Sequence, residues 1–385
     1  VIRAEKSIQE LLEKRRAAGL LRSLKKPENV LDFCSNDYLG LARSAVLRHA
    51  IEEAIRSHSS LLNGSTGSRL LAGNSALAEE LETEIAAFHE TEAALIFNSG
   101  YDANVGLLAC LPQRGDTLLT DELIHASMID GARLSVASRF KFKHNDLADL
   151  ENRLQRATGT VFVAIESVYS MDGDLAPLPE IVDLCERYEA ALIVDEAHAT
   201  GVFGPKGEGL VQALGLQNRV FARVHTFGKA LGVHGAAVVG STALRDFLIN
   251  FARSFVYSTA LPPHSLLAIR CVYRFLPENE PLIARLHSLR AYFQQQIQEQ
   301  LPQTEWTSAE SPILGLIVPG NDACRQVASQ LQQAGFDIRP ILSPTVPAGR
   351  ERLRICLHAF NSENEIDALV QALQKIGMRS GRRGD

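Results

Sequence analysis

ALIVDEAHATG, residues 191–201, is apolar from Ala191 to Val194, turns polar at Asp195, Glu196 and His198, and breaks at Gly201. A strand that is apolar on both alternating faces is one covered on both sides, as in a parallel sheet held between layers of helices. In open α/β sheets ligands sit beyond the carboxyl ends of the strands, where Asp195 and His198 fall. A second stretch, VHTFGKALG (224–232), ends another strand-like run and sets Lys229 between a glycine and an alanine, an odd place for a surface lysine.

Outward from these two stretches the pattern repeats. Strand-like runs stand at 93–97 (AALIF), 116–120 (DTLLT), 138–142 (SRFKF), 161–167 (VFVAIES), 220–226 (VFARVHT) and 235–241 (GAAVVGS), and segments such as LPEIVDLCERYEA (178–190) carry the 3.6-residue period of crossover helices. From about residue 276 the pattern changes to one long helix, PLIARLHSLRAYFQQQIQEQL (281–301), then strands near PILGLIV, FDIRP and RLRICL. The expected fold is α/β: an N-terminal helical segment (1–39), a large domain (40–275) with a mostly parallel seven-stranded sheet, and a smaller α+β domain (276–385).

Composition narrows the function. With 385 residues, 46% of them hydrophobic, the chain can bury a large core, and a net charge of -6 argues against a nucleic-acid partner, which calls for a basic face. The basic cluster MRSGRRGD (378–385) reads as a solvated, disordered tail. Six scattered cysteines without a C-x-x-C pair suit neither a disulfide framework nor a zinc site, and a reducing, cytoplasmic setting is expected. The N-terminal VIRAEKSIQELLEKRRAAG has helical spacing and mixed charge, unlike a signal peptide, and no apolar run reaches the length of a membrane span, so no membrane association is expected.

Several chemistries fail on the residues. DEAH at 195–198 matches a helicase box in letters, but no G-x-x-x-x-G-K-[ST] loop accompanies it: Arg223 stands at the first glycine position before Lys229, and Ala230 replaces the hydroxyl. No G-x-S-x-G elbow, G-x-G-x-x-G loop or H-E-x-x-H ligand pair is present, which sets aside a serine hydrolase, the usual dinucleotide cradle and a metal site. Pyridoxal 5'-phosphate (PLP) needs what remains. It takes a lysine Schiff base and a carboxylate that keeps its ring nitrogen protonated, for which Lys229 and Asp195 are the candidates. His125, opening a helix in DELIHAS, can stack on the ring; Ser99, Gly100 and Tyr101 in NSGYDAN can meet the phosphate at a helix N-terminus; Ser170 and His198 can donate to the phenolic oxygen.

The ordered series SNDYLGL, GSTGSRLLAGN, NSGYDAN, DELIHASMIDG, HND, ESVYSMDGDLAPL, VDEAHATGVFG, VHTFGKALGVHGA, VYSTALPP and PTVPAGRERLRI resembles the α-oxoamine synthases, PLP-dependent enzymes of fold type I, over residues 5–376. That resemblance implies condensation of a small amino acid with an acyl-CoA thioester and loss of carbon dioxide. IHAS, MDGDLAP and DEAH are similar to the biotin-pathway branch, which joins L-alanine to pimeloyl-CoA or its carrier-protein thioester; GSTGSRLLAG, with Thr66 and Arg69, departs from the form seen in some members. Carried over by position, Lys229 is the Schiff-base residue and, once displaced by the amino acid, the general base; its pKa, about 10.4 when unperturbed, must then be lowered. Asp195 pairs with the ring nitrogen, His125 stacks, and Thr226 joins Gly100 and Tyr101 at the phosphate, with Thr259 arriving from a second subunit of a homodimer. His198 or His125 orients or protonates along the way. Arg354 is implied to take the amino-acid carboxylate, Arg22 in the N-terminal helix to contact the acyl substrate, and Asn36 to lie near the substrate.

Overall fold

The computed structural model describes residues 2–24, 30–58, 61–307 and 310–377, so the tail MRSGRRGD lies outside the described residues. Twelve strands are described: β1 (Leu31–Asp32), β2 (Ala93–Phe97), β3 (Thr117–Asp121), β4 (Ser138–Phe142), β5 (Val161–Glu166), β6 (Ala191–Asp195), β7 (Ala222–Thr226), β8 (Ala236–Gly240), β9 (Ile313–Ile317), β10 (Phe336–Asp337), β11 (Arg339–Ile341) and β12 (Arg352–Cys356). β2 to β8 form one seven-stranded sheet in the order β2-β8-β7-β6-β5-β3-β4. The run from β7 to β4 is parallel, and β8 is antiparallel to both of its neighbours.

The all-apolar strands behave as their composition requires. Along β5, Val163 and Ile165 enter one apolar core while Phe162 and Ala164 enter another on the opposite face; β6 divides Leu192 and Val194 from Ile193 in the same way. β4 differs because it closes the sheet edge, and Ser138 to Lys141 are exposed. β7 carries Arg223 and His225 into the interior, where the Arg223 guanidinium donates to the His89 carbonyl and the His225 ring stacks on His89 at 3.7 Å between centroids.

Among the described residues of the 1–39 segment, only Arg3–Ala17 are helical. The helix Arg3–Ala17 buries none of its residues, whereas β1 pairs in parallel with β10, and Phe33, Tyr38 and Leu39 join an apolar core shared with Phe293, Leu314 and Leu353 of the C-terminal region. The stretch FDIRP, which reads as one strand, is two. β10 pairs with β1 and β11 with β12, so the chain changes sheets at the buried Ile338. The order β11-β12-β9 places β12 in the middle of an antiparallel three-stranded sheet, and the helix Glu280–Gln300 packs on the helix Glu363–Lys375.

Candidate active site

The carboxyl ends of β5, β6 and β7, with the helix starts that follow β2 and β3, surround a cavity of about 280 Å³ lined by Glu166, Asp195, Lys229, His125, Thr226 and Ser99, among others. Each side chain has a local reason to be there. Lys229 sits in the turn between β7 and β8, where Phe227 N–H donates to the Gly235 carbonyl and Gly232 N–H to the Lys229 carbonyl, both at 2.9 Å. Gly232 holds φ +67°, and a Cβ on it would lie 2.2 Å from the Ala42 amide nitrogen, so a glycine is required for this turn to close.

Asp195 ends β6 almost fully buried. Its Oδ1 accepts from the Ala197 N–H at 2.8 Å and its Oδ2 from Asn104 Nδ2 at 2.6 Å, which fixes the carboxylate with neutral donors. Asn104 also donates to Ser127 Oγ at 3.0 Å, and Ser127 Oγ lies 2.8 Å from His125 Nδ1, so one amide ties the position of the carboxylate to that of the histidine. His125 is the N-cap of the helix Ala126–Leu134, accepting from the Ser127 N–H. Partial burial, and then the Lys229 charge, lower its pKa.

Lys229 Nζ lies 3.0 Å from His198 Nε2, and His198 Nδ1 lies 2.8 Å from the Tyr38 hydroxyl, which donates to Asn36 Oδ1 at 3.1 Å. With the Tyr38 hydrogen committed to Asn36, the hydroxyl accepts from Nδ1–H and leaves Nε2 free to accept from the lysine. Burial, then Lys229, Arg354 and His125, hold the His198 pKa well below its ordinary value, so this imidazole is neutral. Burial also lowers Lys229 from the usual lysine value, outweighing the opposing pull of Asp195 and Glu166.

Arg354 lies on the central β12 and is buried. It donates to the Ser170 carbonyl at 2.7 Å and to Asn36 Oδ1 at 3.1 Å, and no carboxylate pairs with it among the described residues. Ser99 caps the helix Gly100–Cys110 by accepting from the Asp102 N–H at 3.1 Å, leaving the first amides of that helix at the cavity. A Cβ on Gly100 would fall 2.2 Å from Thr226 Cγ2, so the bare glycine lets the helix end close on Thr226, whose buried Oγ1 has no partner among the described residues.

Not every expected residue converges here. Ser170 lines a neighbouring cavity of about 750 Å³ that shares His125 but not Lys229, and it is the Ser170 carbonyl that is engaged. Tyr101 does line the Lys229 cavity, but its side chain is exposed and its hydroxyl is bonded to Asp130. Thr259 is exposed, its carbonyl accepts from Asn98 Nδ2 at 2.9 Å, and it lines a separate small cavity. Arg22 is not in the N-terminal helix, which ends at Ala17 as the chain turns at Gly19 (φ +66°); it is exposed in the segment beyond, in a groove with Lys14 and Arg15. Sequence reasoning missed Asn104, Ser127 and Tyr38, and assigned no role to Glu166. Only the polar Asn104 in the otherwise apolar ANVGLLA could have signalled its place, because a buried amide on a helix face needs a partner.

A family model described as aminotransferase class I and II matches residues 28–373, and the chain belongs to that family. Its fold is that of the PLP-dependent enzymes of fold type I. The chain is 45% identical to the 8-amino-7-oxononanoate synthase of Emericella nidulans, over 95% of this chain and 94% of that one. Among solved structures it is similar to the 8-amino-7-oxononanoate synthase of Francisella tularensis (28% identity, TM-score 0.77, 91% of this chain and 98% of that chain). It also resembles a serine palmitoyltransferase variant from S. paucimobilis with a PLP–myriocin aldimine bound (25% identity, TM-score 0.87, 96% and 98%).

Proposed function

We propose that this chain is a PLP-dependent C-acyltransferase that condenses L-alanine with pimeloyl-CoA, or the corresponding carrier-protein thioester, giving 8-amino-7-oxononanoate, free thiol and carbon dioxide in biotin biosynthesis. The observation that carries the reading is the meeting of Asp195 and Lys229, from different strand ends, in one cavity with the stacking candidate His125. The unpartnered Thr226 hydroxyl and the bare helix start at Gly100 fit a phosphate, and the neutral donors on Asp195 leave its charge for a ring nitrogen.

Bound PLP supplies an electron sink for the α-carbon of the amino acid. Asp195 holds the ring nitrogen positive, and Ser99, Gly100, Tyr101 and Thr226 hold the phosphate. Lys229, its pKa lowered by burial, takes the α-proton as a neutral amine, with His198 Nε2 beside it to accept a hydrogen bond. Arg354 and Asn36 receive the amino-acid carboxylate, which gives the buried guanidinium the anion it lacks among the described residues. The larger cavity past His125, between Met171 and Arg350, takes the acyl arm, with Ser170 at its junction. Thr259, and Arg22 in the outer groove, act in a homodimer whose sites lie at the interface.

The test is thiol release from a panel of acyl-CoA and carrier-protein thioesters with L-alanine, read with product mass. Release with the pimeloyl donor and a product lacking the alanine carboxyl supports the reading, whereas transfer of nitrogen to a keto acid without thiol release assigns the site to an aminotransferase. The Lys229→Ala chain should keep its fold by circular dichroism, lose the covalent attachment of the cofactor that borohydride reduction would fix, and lose turnover by at least about a thousandfold.

A further inference from the structure

The cavity holds a second carboxyl for which the reaction above has no use. Glu166 ends β5 directly across the parallel register from Asp195, so the two side chains leave neighbouring strands, about 4.8 Å apart, at the same level. Both are buried, and Lys229 lines the same cavity. Their hydrogen bonding is unequal. Each Asp195 oxygen accepts a strong bond from a neutral donor, while Glu166 Oε1 is buried with no partner among the described residues. Two carboxyls this close beside one ammonium do not both ionise, and the proton goes to the one with fewer donors.

We propose that Glu166 is a positioning residue that holds a proton beside Asp195, so that Asp195 bears the single carboxylate charge of the site and Lys229 faces no second anion. Every element packed around Glu166 agrees or is outweighed. Burial first, then Asp195 on β6 and Asp121 on β3, raise the Glu166 carboxyl to about 8, against Lys229 and the His125 backbone N–H, which lower it; the Tyr169 hydroxyl is the remaining titratable group facing it. An ionised Glu166 would pull the lysine pKa back up and reduce the neutral amine that the proposed chemistry needs. The inference therefore rests on the PLP reading of the site.

The experiment is a pH titration of the visible absorbance of the holoenzyme, wild type against Glu166→Gln, together with cofactor affinity at neutral pH. Glutamine mimics the neutral acid. The expected result is matching spectra and affinities within about twofold below pH 8, and a wild-type transition near pH 8 that the variant lacks. Superimposable titrations overturn the proposal, as does a folded Glu166→Gln chain whose cofactor affinity falls about tenfold or more, since that would show a charge is needed. If the glutamine chain does not fold, Glu166→Met, also neutral, is titrated in its place with the same outcomes. A wild-type chain that takes up no cofactor, or in which borohydride fixes no cofactor to Lys229, overturns the PLP reading and this proposal together; normal loading with unchanged titration sinks the Glu166 role alone.

Discussion

Asn104 is the residue on which two functional side chains depend at once, because a single amide donates both to Asp195 and to the Ser127 hydroxyl that meets His125. Its replacement by alanine leaves the Asp195 carboxylate with one donor and removes the tie between that carboxylate and the Ser127 hydroxyl beside His125. A hydrogen bond to a charged group contributes about 1.5–3 kcal/mol, so Asn104→Ala should weaken cofactor binding by about tenfold to a hundredfold, measured by absorbance titration, with a smaller change in melting temperature. Arg354 should behave differently, since it meets neutral partners and is held apart from the lysine by Tyr38 and His198. Arg354→Gln is expected to raise the KM for L-alanine by about tenfold or more while cofactor affinity changes little; an equal loss of cofactor would assign Arg354 to the fold.

At the scale of elements, the turn after β7 delivers the lysine, and its geometry tolerates no side chain at Gly232. Gly232→Ala combines left-handed backbone strain with a backbone clash, and should cost at least about 2 kcal/mol in denaturant unfolding as well as displacing Lys229. Between β4 and the helix Leu147–Leu154, His144 clamps a loop by bonding Asp121 at 3.0 Å and Asp174 at 2.7 Å. Burial alone would lower its pKa, but these carboxylates push it up to about 10. A base whose pKa is raised by folding adds stability that is fully present below its unfolded value, about 6.5, and is lost as pH rises through the folded one. Melting temperature should therefore fall between about pH 6.5 and pH 10 in the wild type, and His144→Gln should flatten that part of the curve.

For the whole molecule, the helix Arg3–Ala17 buries nothing in its own chain and leaves Ile8, Leu11 and Leu12 exposed, which suits the homodimer proposed above. Sedimentation should give twice the 42.1 kDa chain mass. If Thr259 acts across the interface, mixing the inactive Lys229→Ala and Thr259→Ala chains restores one intact site per mixed dimer, so activity should recover on subunit exchange; no recovery would place both residues in one subunit's site. No helix among the described residues is long and apolar enough to cross a membrane.

β2, β3, β5, β6 and β8 of the large sheet were legible as short runs whose apolar residues alternate into cores on both faces, a local signal that survives without neighbours, whereas the edge strand β4 is largely exposed and β7 carries Arg223 and His225 on one face. Lys229, Asp195 and His125 were legible for a related reason: polar groups at the ends of apolar strands have few structural uses. The split of FDIRP between two sheets was not, since it depends on β12 nearby and on β1, about three hundred residues earlier in the chain. Nor were Asn104, Tyr38 and the pairing of Glu166 with Asp195 as a protonation couple. The sequence alone determined the class of sheet and the residue types at its carboxyl edge; which of them touch, and therefore where the protons sit, was decided only when the strands took their order, because hydrogen bonds and desolvation act over a few ångströms of space.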